Sequence, residues 1–388
     1  MNSPSQTYQV AIVGGGPVGL FLGLCLEQAD ISFIILEKRT APKPGSRSLG
    51  IHPVSLELFD ELGIANSFLN QGAKIEQGHA FANTKKLGTL SFDDCPNPFN
   101  FILAHPQNQT EHLLEQSLIN RNPFCLRRDV EVTQITEQQD HVRILFQDGG
   151  ITSNIKTKFL VGCDGKNSLV RRQSNISYEG KQYPDTYIMG DSTDHTDFGN
   201  DAAIFLCDEG LIESFPLPDN NRRWVVKTSS YLPEVNPHDI TDRVKHRIGT
   251  NFNETDFSML SSFGVQKFIA SPMAKNRIIL CGDAAHVVSP IGGQGMNLGW
   301  LAAKDLANTL AHILQQDQSI SNLLTLYQQR RTHAAQNAIR RAEINMWLGR
   351  QTSFPALRNS IVSIMLKKPF SNFMANIFTM RGLERWPF

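Results

Sequence analysis

The chain has 388 residues, enough for two domains or one large domain with an insertion, and 37 Lys plus Arg balance 37 Asp plus Glu, which speaks against a nucleic-acid binder. Six scattered cysteines (Cys25, Cys95, Cys125, Cys163, Cys207, Cys281) form neither a C-x-x-C pair nor zinc spacing; they read as reduced thiols of a cytoplasmic protein, with no metal expected. The N-terminal MNSPSQTYQV lacks the basic and apolar regions of a signal peptide, and no apolar run reaches the ~18 residues of a membrane span.

Residues 8–13, YQVAIV, are an apolar run ending in glycines, which predicts a buried parallel strand. Residues 17–29 predict a helix with Pro17 at its first position, and 32–37 predict a second buried strand ending in Glu37. Helices are expected over 53–62, stopped by Gly63, and over 110–120, starting on Thr110; 72–103 reads as irregular. Residues 129–147 predict a β hairpin or meander, 157–161 a strand entering Gly162, and 176–269 a β-rich module. A strand over 277–281 precedes a long helical stretch over 296–350.

Gly14-Gly15-Gly16-Pro17-Val18-Gly19 is a G-x-G-x-x-G run between a strand and a helix. Its glycines suit a tight turn, backbone approach to a pyrophosphate, and close helix–strand packing. Glu37, 18 residues after Gly19, is placed to bind an adenosine ribose. The bland alternative is a glycine-rich turn. Gly282-Asp283 ends a strand, so Asp283 either meets a nucleotide at the sheet's carboxyl edge or caps the next turn. The run from Pro290 to Asn297, containing Gly292, Gly293, Gly295 and Met296, exposes amides at a helix start that could face an anionic cofactor ring.

These fingerprints, with Gly162-Cys163-Asp164-Gly165 followed by Ser168 and Arg171, resemble the group A flavoprotein monooxygenases, of the para-hydroxybenzoate hydroxylase fold. The likeness spans nearly the whole chain. It implies an α/β fold: a Rossmann-like FAD-binding domain (1–71, 104–175 and 270–350) interrupted by a β-rich substrate domain (72–103 and 176–269), with a helical C-terminal segment (351–388). It also implies bound FAD and transient NADH or NADPH. Oxygenation of an electron-rich ring would proceed through a C4a-hydroperoxyflavin. By the same resemblance Asp164 serves both FAD and the nicotinamide, and Asp283 the ribityl chain. Gly295, Met296 and Asn297 present backbone to the isoalloxazine. Arg47, near Leu49-Gly50-Ile51-His52-Pro53, and Gln107, near Glu111, lie in segments that flank the flavin.

Phe81, Phe101, Tyr187, Phe205, Phe215 and Pro290 are candidate linings of an apolar substrate pocket. His52 is a candidate base for a phenolic substrate, with His79 and His105 eligible by type; His286 reads as structural. Rival readings are a halogenase or prenyl reductase on the same fold, or a binding protein that lost the flavin. The wide spacing of Trp224, Trp300, Trp347 and Trp386 counts against halogenation, and Asp164 with Asp283 against a binding protein. A monomer or homodimer is expected. Phe370, Phe373, Met374, Ile377 and Phe378 form an apolar helical face after Pro369, in a basic stretch. That face either packs on the protein itself, the favoured expectation, or meets an anionic membrane surface.

Overall fold

A computed structural model describes residues 7–42, 48–252, 256–316 and 318–383. Arg47 and Trp386 lie outside the described residues. The first apolar run forms the strand Thr7–Val13, buried from Val10 onward. It lies parallel between Phe33–Leu36 and Ile151–Gly162. Ile278–Leu280 extends the sheet on one side and Leu126–Arg127 on the other, both parallel. An antiparallel hairpin, Val130–Glu137 with Val142–Asp148, joins through Ile151–Gly162. Helix Pro17–Gln28 packs against this sheet together with Gln107–Arg121 and Gln294–Gln315. Fully buried Leu20, Phe21, Leu24, Trp300 and Leu306 fill that layer. Parallel strands covered in this way need apolar residues at consecutive positions, as FIIL over 33–36 provides.

Among the described residues the second sheet has eight strands. Their order is His286–Val287, Phe257–Ser271, Ser177–Thr193, Asn221–Thr228, Gly210–Leu217, Ala202–Cys207, Gln77–Ala82 and Lys85–Ser91. One face packs on helix Pro237–Ile248 through Ile188, Trp224, Val226, Ile240 and Val244. This helix was not expected within 176–269. It has a capping box (Asn236 with Asp239) and ends on Gly249 at φ 76°. A small third sheet links Gly50–Ile51, Ile102–Ala104 and Ala73–Ile75.

The long helical stretch expected over 296–350 is made of two helices, Gln294–Gln315 and Ile320–Leu348, the second capped by Ser319. Helices Pro355–Met365 and Phe370–Phe378 follow. Pro369 is the N-cap residue of the Phe370–Phe378 helix. This is the expected α/β architecture, with a β-rich module and a helical C-terminus. Among the described residues no helix is long and apolar enough to cross a membrane.

Candidate active site

A cavity of about 1010 Å³ runs between the two large sheets. Its first end lies at the carboxyl edge of the parallel strands, where Gly14, Gly16, Pro17 and Val18 line it with Glu37, Asp164 and Asp283. Gly14 sits at φ 106°, a conformation that L side chains rarely adopt. Gly19 does not line the cavity; a Cβ there would collide with the Gly14 carbonyl oxygen, so this glycine serves helix–strand contact. Gly16 differs. A Cβ there would meet nothing nearer than Arg39 Nη2 at 3.9 Å, leaving open space above the start of the Pro17–Gln28 helix. That opening fits a pyrophosphate approaching the helix amides.

Glu37 is buried and accepts from the Gly15 N–H at 2.6 Å and from Arg39 N–H and Nε–H at 2.8 and 2.9 Å. These donors hold its carboxyl below the usual range although burial opposes them. Arg39 also reaches Glu111 at 3.5 Å, and Gln107 Nε2 donates to Glu111 at 2.8 Å. Gln107 begins its helix, three residues earlier than the expected start at Thr110. Pro106, at the N-cap, sets that entry. Asp164 Oδ2 caps a short helix by accepting from Leu169 and Val170 N–H. Its buried Oδ1 has no protein partner among the described residues. One oxygen of this carboxylate serves the turn, and the other is left open. Asp283 opens onto the cavity, and surrounding protein pushes its carboxyl up to about 6, with Lys166 pulling it back.

The glycine-rich run closes the middle of the cavity through Pro290, Gly293, Gly295 and Met296. Gly292 and Gly293 have φ of 92° and 67°, and the 22-residue helix Gln294–Gln315 starts immediately after them. Its positive end therefore faces the cavity. Asn297 does not line it. Its buried side chain instead accepts from the His52 N–H at 2.9 Å and donates to the carbonyls of Gly50 (2.9 Å) and Gly293 (3.0 Å). His52 lines the cavity, but its Nδ1–H donates to the Phe378 carbonyl at 2.7 Å and burial drives the imidazole down to about 4. An imidazole so tethered is a poor general base at neutral pH. His105 is buried away from the cavity on Thr110 Oγ1, and His286 is buried and likewise apart. His79 lines the cavity and is held by Thr89 and Asp201.

Of the aromatic candidates, Phe215 lines the cavity and four others do not. Strand parity explains two of them. Ala80, Ile204 and Leu206 face the cavity, so Phe81 and Phe205 point to the opposite face, where their rings stack at 4.8 Å. Phe101 belongs to the core under the first sheet. Tyr187 shares the cavity-side face but is covered by stacking on Phe263 at 5.4 Å. Residues that sequence reasoning passed over include Arg39, Lys166, Glu213, Arg223 and Asn345, all lining the cavity. Arg39, two residues past the ribose-type acid, and Lys166, inside the segment that follows Asp164, were within reach of it; Glu213, Arg223 and Asn345 lie in segments with no motif.

A family model described as an FAD binding domain matches residues 7–342. The chain belongs to the FAD-binding family of group A flavoprotein monooxygenases. It is 33% identical over 375 residues to an uncharacterized aromatic compound monooxygenase, YhjG, of Bacillus subtilis (strain 168), covering 94% of this chain and 73% of that one. It is 27% identical over 361 residues to pentachlorophenol 4-monooxygenase of Sphingobium chlorophenolicum, covering 87% and 65%. The solved structure of the anhydrotetracycline hydroxylase OxyS from Streptomyces rimosus superposes with TM-score 0.81 at 26% identity, covering 97% and 76%. The chain thus spans about two thirds to three quarters of the length of these relatives.

Proposed function

We propose that this protein uses NADH or NADPH and O₂ to hydroxylate an aromatic or polycyclic small molecule. The observation that carries the reading is the one continuous cavity. A phosphate-accommodating glycine turn with Glu37, Asp164 and Asp283 stands at one end, and an apolar sheet face with Met189, Phe215 and Phe263 at the other. The relatives named as monooxygenases of aromatic compounds support it.

Bound FAD would supply the redox chemistry, accepting reducing equivalents from the nicotinamide and activating O₂. The chain's own groups supply position and electrostatics. In this reading Gly16 leaves room for the pyrophosphate, Glu37 accepts from the ribose, and Asp283 accepts from the ribityl hydroxyls. Asp164, with one free oxygen, stands where both cofactors would pass. The amides at Gly293–Met296 and the helix behind them stabilise negative charge on the reduced ring. His52 and Asn297 hold that loop in place, and Met374 and Phe378 of the last helix wall off water.

The domain division of 1–71, 104–175 and 270–350 against 72–103 and 176–269 remains part of this proposal. Two of the large-sheet strands, Gln77–Ala82 and Lys85–Ser91, support assigning 72–103 to the substrate side. The test is whether purified protein carries FAD and couples NAD(P)H oxidation to insertion of one oxygen atom into an aromatic compound. A halogenated product, or alkene reduction without O₂ uptake, would move the protein to another reaction on this fold.

A further inference from the structure

The substrate end of the cavity is bounded by one face of the second sheet. Ile204, Met189, Phe215, Val225 and Phe263 make this face largely apolar. Glu213 and Arg223 interrupt it. Arg223 is committed, donating twice to Asp191 at 2.6 and 2.7 Å. Glu213 stands between two hydrocarbon neighbours, Ile204 on one adjacent strand and Val225 on the other. It is 7% exposed, and what exposure it has is toward the cavity. Among the described residues no hydrogen bond or ion pair reaches its carboxyl, and burial alone pushes it up to about 7. An acceptor removed from water without a partner is unfavourable, so a hydrocarbon side chain would suit the empty wall better. The penalty is offset once a ligand donates to it.

We propose that Glu213 is the carboxylate that recognises the substrate, accepting a hydrogen bond from a neutral hydroxyl or N–H on the ring system and excluding rings that carry a carboxylate. The proposal deepens the monooxygenase reading and rests on it only for the substrate being a ring compound. Arg223 does not offset the exclusion, because Asp191 already neutralises it. The other groups near Glu213 are the Tyr187 hydroxyl, which burial raises far above neutrality, and the Lys227–Asp185–Arg350 cluster on the same sheet. The third sheet and the C-terminal helices present Ile75, Ile102, Val362 and Leu366 to the cavity, none of them ionisable. His79 lies two strands away and is engaged by Asp201.

The experiment compares wild type with Glu213→Gln, both loaded with FAD. Calorimetry measures binding of two probes matched in ring size, 2-naphthol and 2-naphthoate. At about pH 8 wild type is expected to favour the naphthol at least ~10-fold, a hydrogen bond to a charged acceptor being worth that much. In Glu213→Gln the preference should shrink to about threefold or less. In wild type it should grow between about pH 6 and 8, as Glu213 ionises while both probes keep their charge, and it should stay flat in the variant. Circular dichroism and FAD content establish that the variant is folded, and the pH series on wild type stands without any variant. The proposal is overturned if wild type binds 2-naphthoate as well as 2-naphthol, if it binds neither, or if Glu213→Gln keeps the full preference. Binding is read without turnover. A Glu213-dependent preference with no hydroxylated product would count against the monooxygenase reading alone. Hydroxylation with an unchanged preference would count against Glu213 alone.

Discussion

His52 and Asn297, 245 residues apart, are joined by a hydrogen bond in which the His52 backbone N–H donates to Asn297 Oδ1 at 2.9 Å. The same amide nitrogen of Asn297 donates to Gly50 and Gly293. One buried side chain therefore ties the segment at 50–52 to the glycine loop that opens onto the cavity. Asn297→Ala would leave up to three buried backbone groups without partners. A loss of about 2–4 kcal/mol in urea unfolding is expected, with lower FAD retention at purification. Unchanged stability and full flavin content would show that this bridge is dispensable.

Gly16 and Gly19 separate binding from folding. A side chain at Gly16 has room in the protein alone but would stand in the space assigned to the pyrophosphate, so Gly16→Val should fold normally and purify colourless. At Gly19 a Cβ strikes the Gly14 carbonyl, so Gly19→Val should be poorly folded whether or not FAD is supplied. Circular dichroism with flavin absorbance reads both. A yellow, fully loaded Gly16→Val would refute the cofactor placement.

Asp283 gives a pH dependence. Its carboxyl is raised to about 6 by the protein packed around it, although the side chain is exposed within the cavity. A raised acid favours the folded protein fully below its ordinary value near 4 and loses that contribution as pH climbs through about 6. Water reaches Asp283 through the cavity, so the effect on folding is small. The effect on FAD runs the other way: if ribityl hydroxyls donate to the ionised form, as proposed, affinity should rise with pH between about 5 and 7 and release a proton on binding. Asp283→Asn should remove that slope in a flavin titration. The same slope in the variant would mean another group titrates; loss of fold and flavin together would favour the capping role.

The C-terminal helices complete the cavity. Val362, Met365, Leu366, Met374 and Phe378 line it, whereas Phe370 and Phe373 of the same apolar stretch are about half exposed. Truncation after Ser353 should therefore cause aggregation or a large loss of thermal stability. If the truncated protein stays folded and active, and only the full chain pellets with anionic liposomes, the exposed half of that face is a membrane contact and the packing is secondary.

How much of this was legible in the sequence follows from local physics. The Thr7–Val13 and Phe33–Leu36 strands and the Pro17 helix start were readable because continuous apolar runs and proline placement are local signals. The strands at Gln77–Ala82 and Lys85–Ser91 were not, because Gly78, Ala80, Gly88 and paired lysines carry little β propensity and are held by pairing with distant segments. The break after Gln315 was marked in the sequence only by the polar run from Gln315 to Ser319, residue types that an exposed helical face carries equally well, so it did not stand out within a long helical stretch. At the site, glycines and acids in recognised motifs could be assigned, whereas Phe81 and Phe205 could not be sorted from Phe215. A one-residue change in strand parity sends a side chain to the other face, and composition does not record it. Glu213 was invisible for a related reason: only the folded sheet shows that its neighbours are hydrocarbon.

The most direct test supplies purified, FAD-loaded protein with NADH or NADPH, ¹⁸O₂ and a panel of neutral phenols that includes 2-naphthol. Without an aromatic compound, nicotinamide oxidation should be slow and yield hydrogen peroxide. With an accepted phenol it should accelerate, and mass spectrometry should find a product heavier by one oxygen atom, that atom carrying the ¹⁸O label. Product formed without O₂ uptake, or an added oxygen drawn from water, would contradict the account.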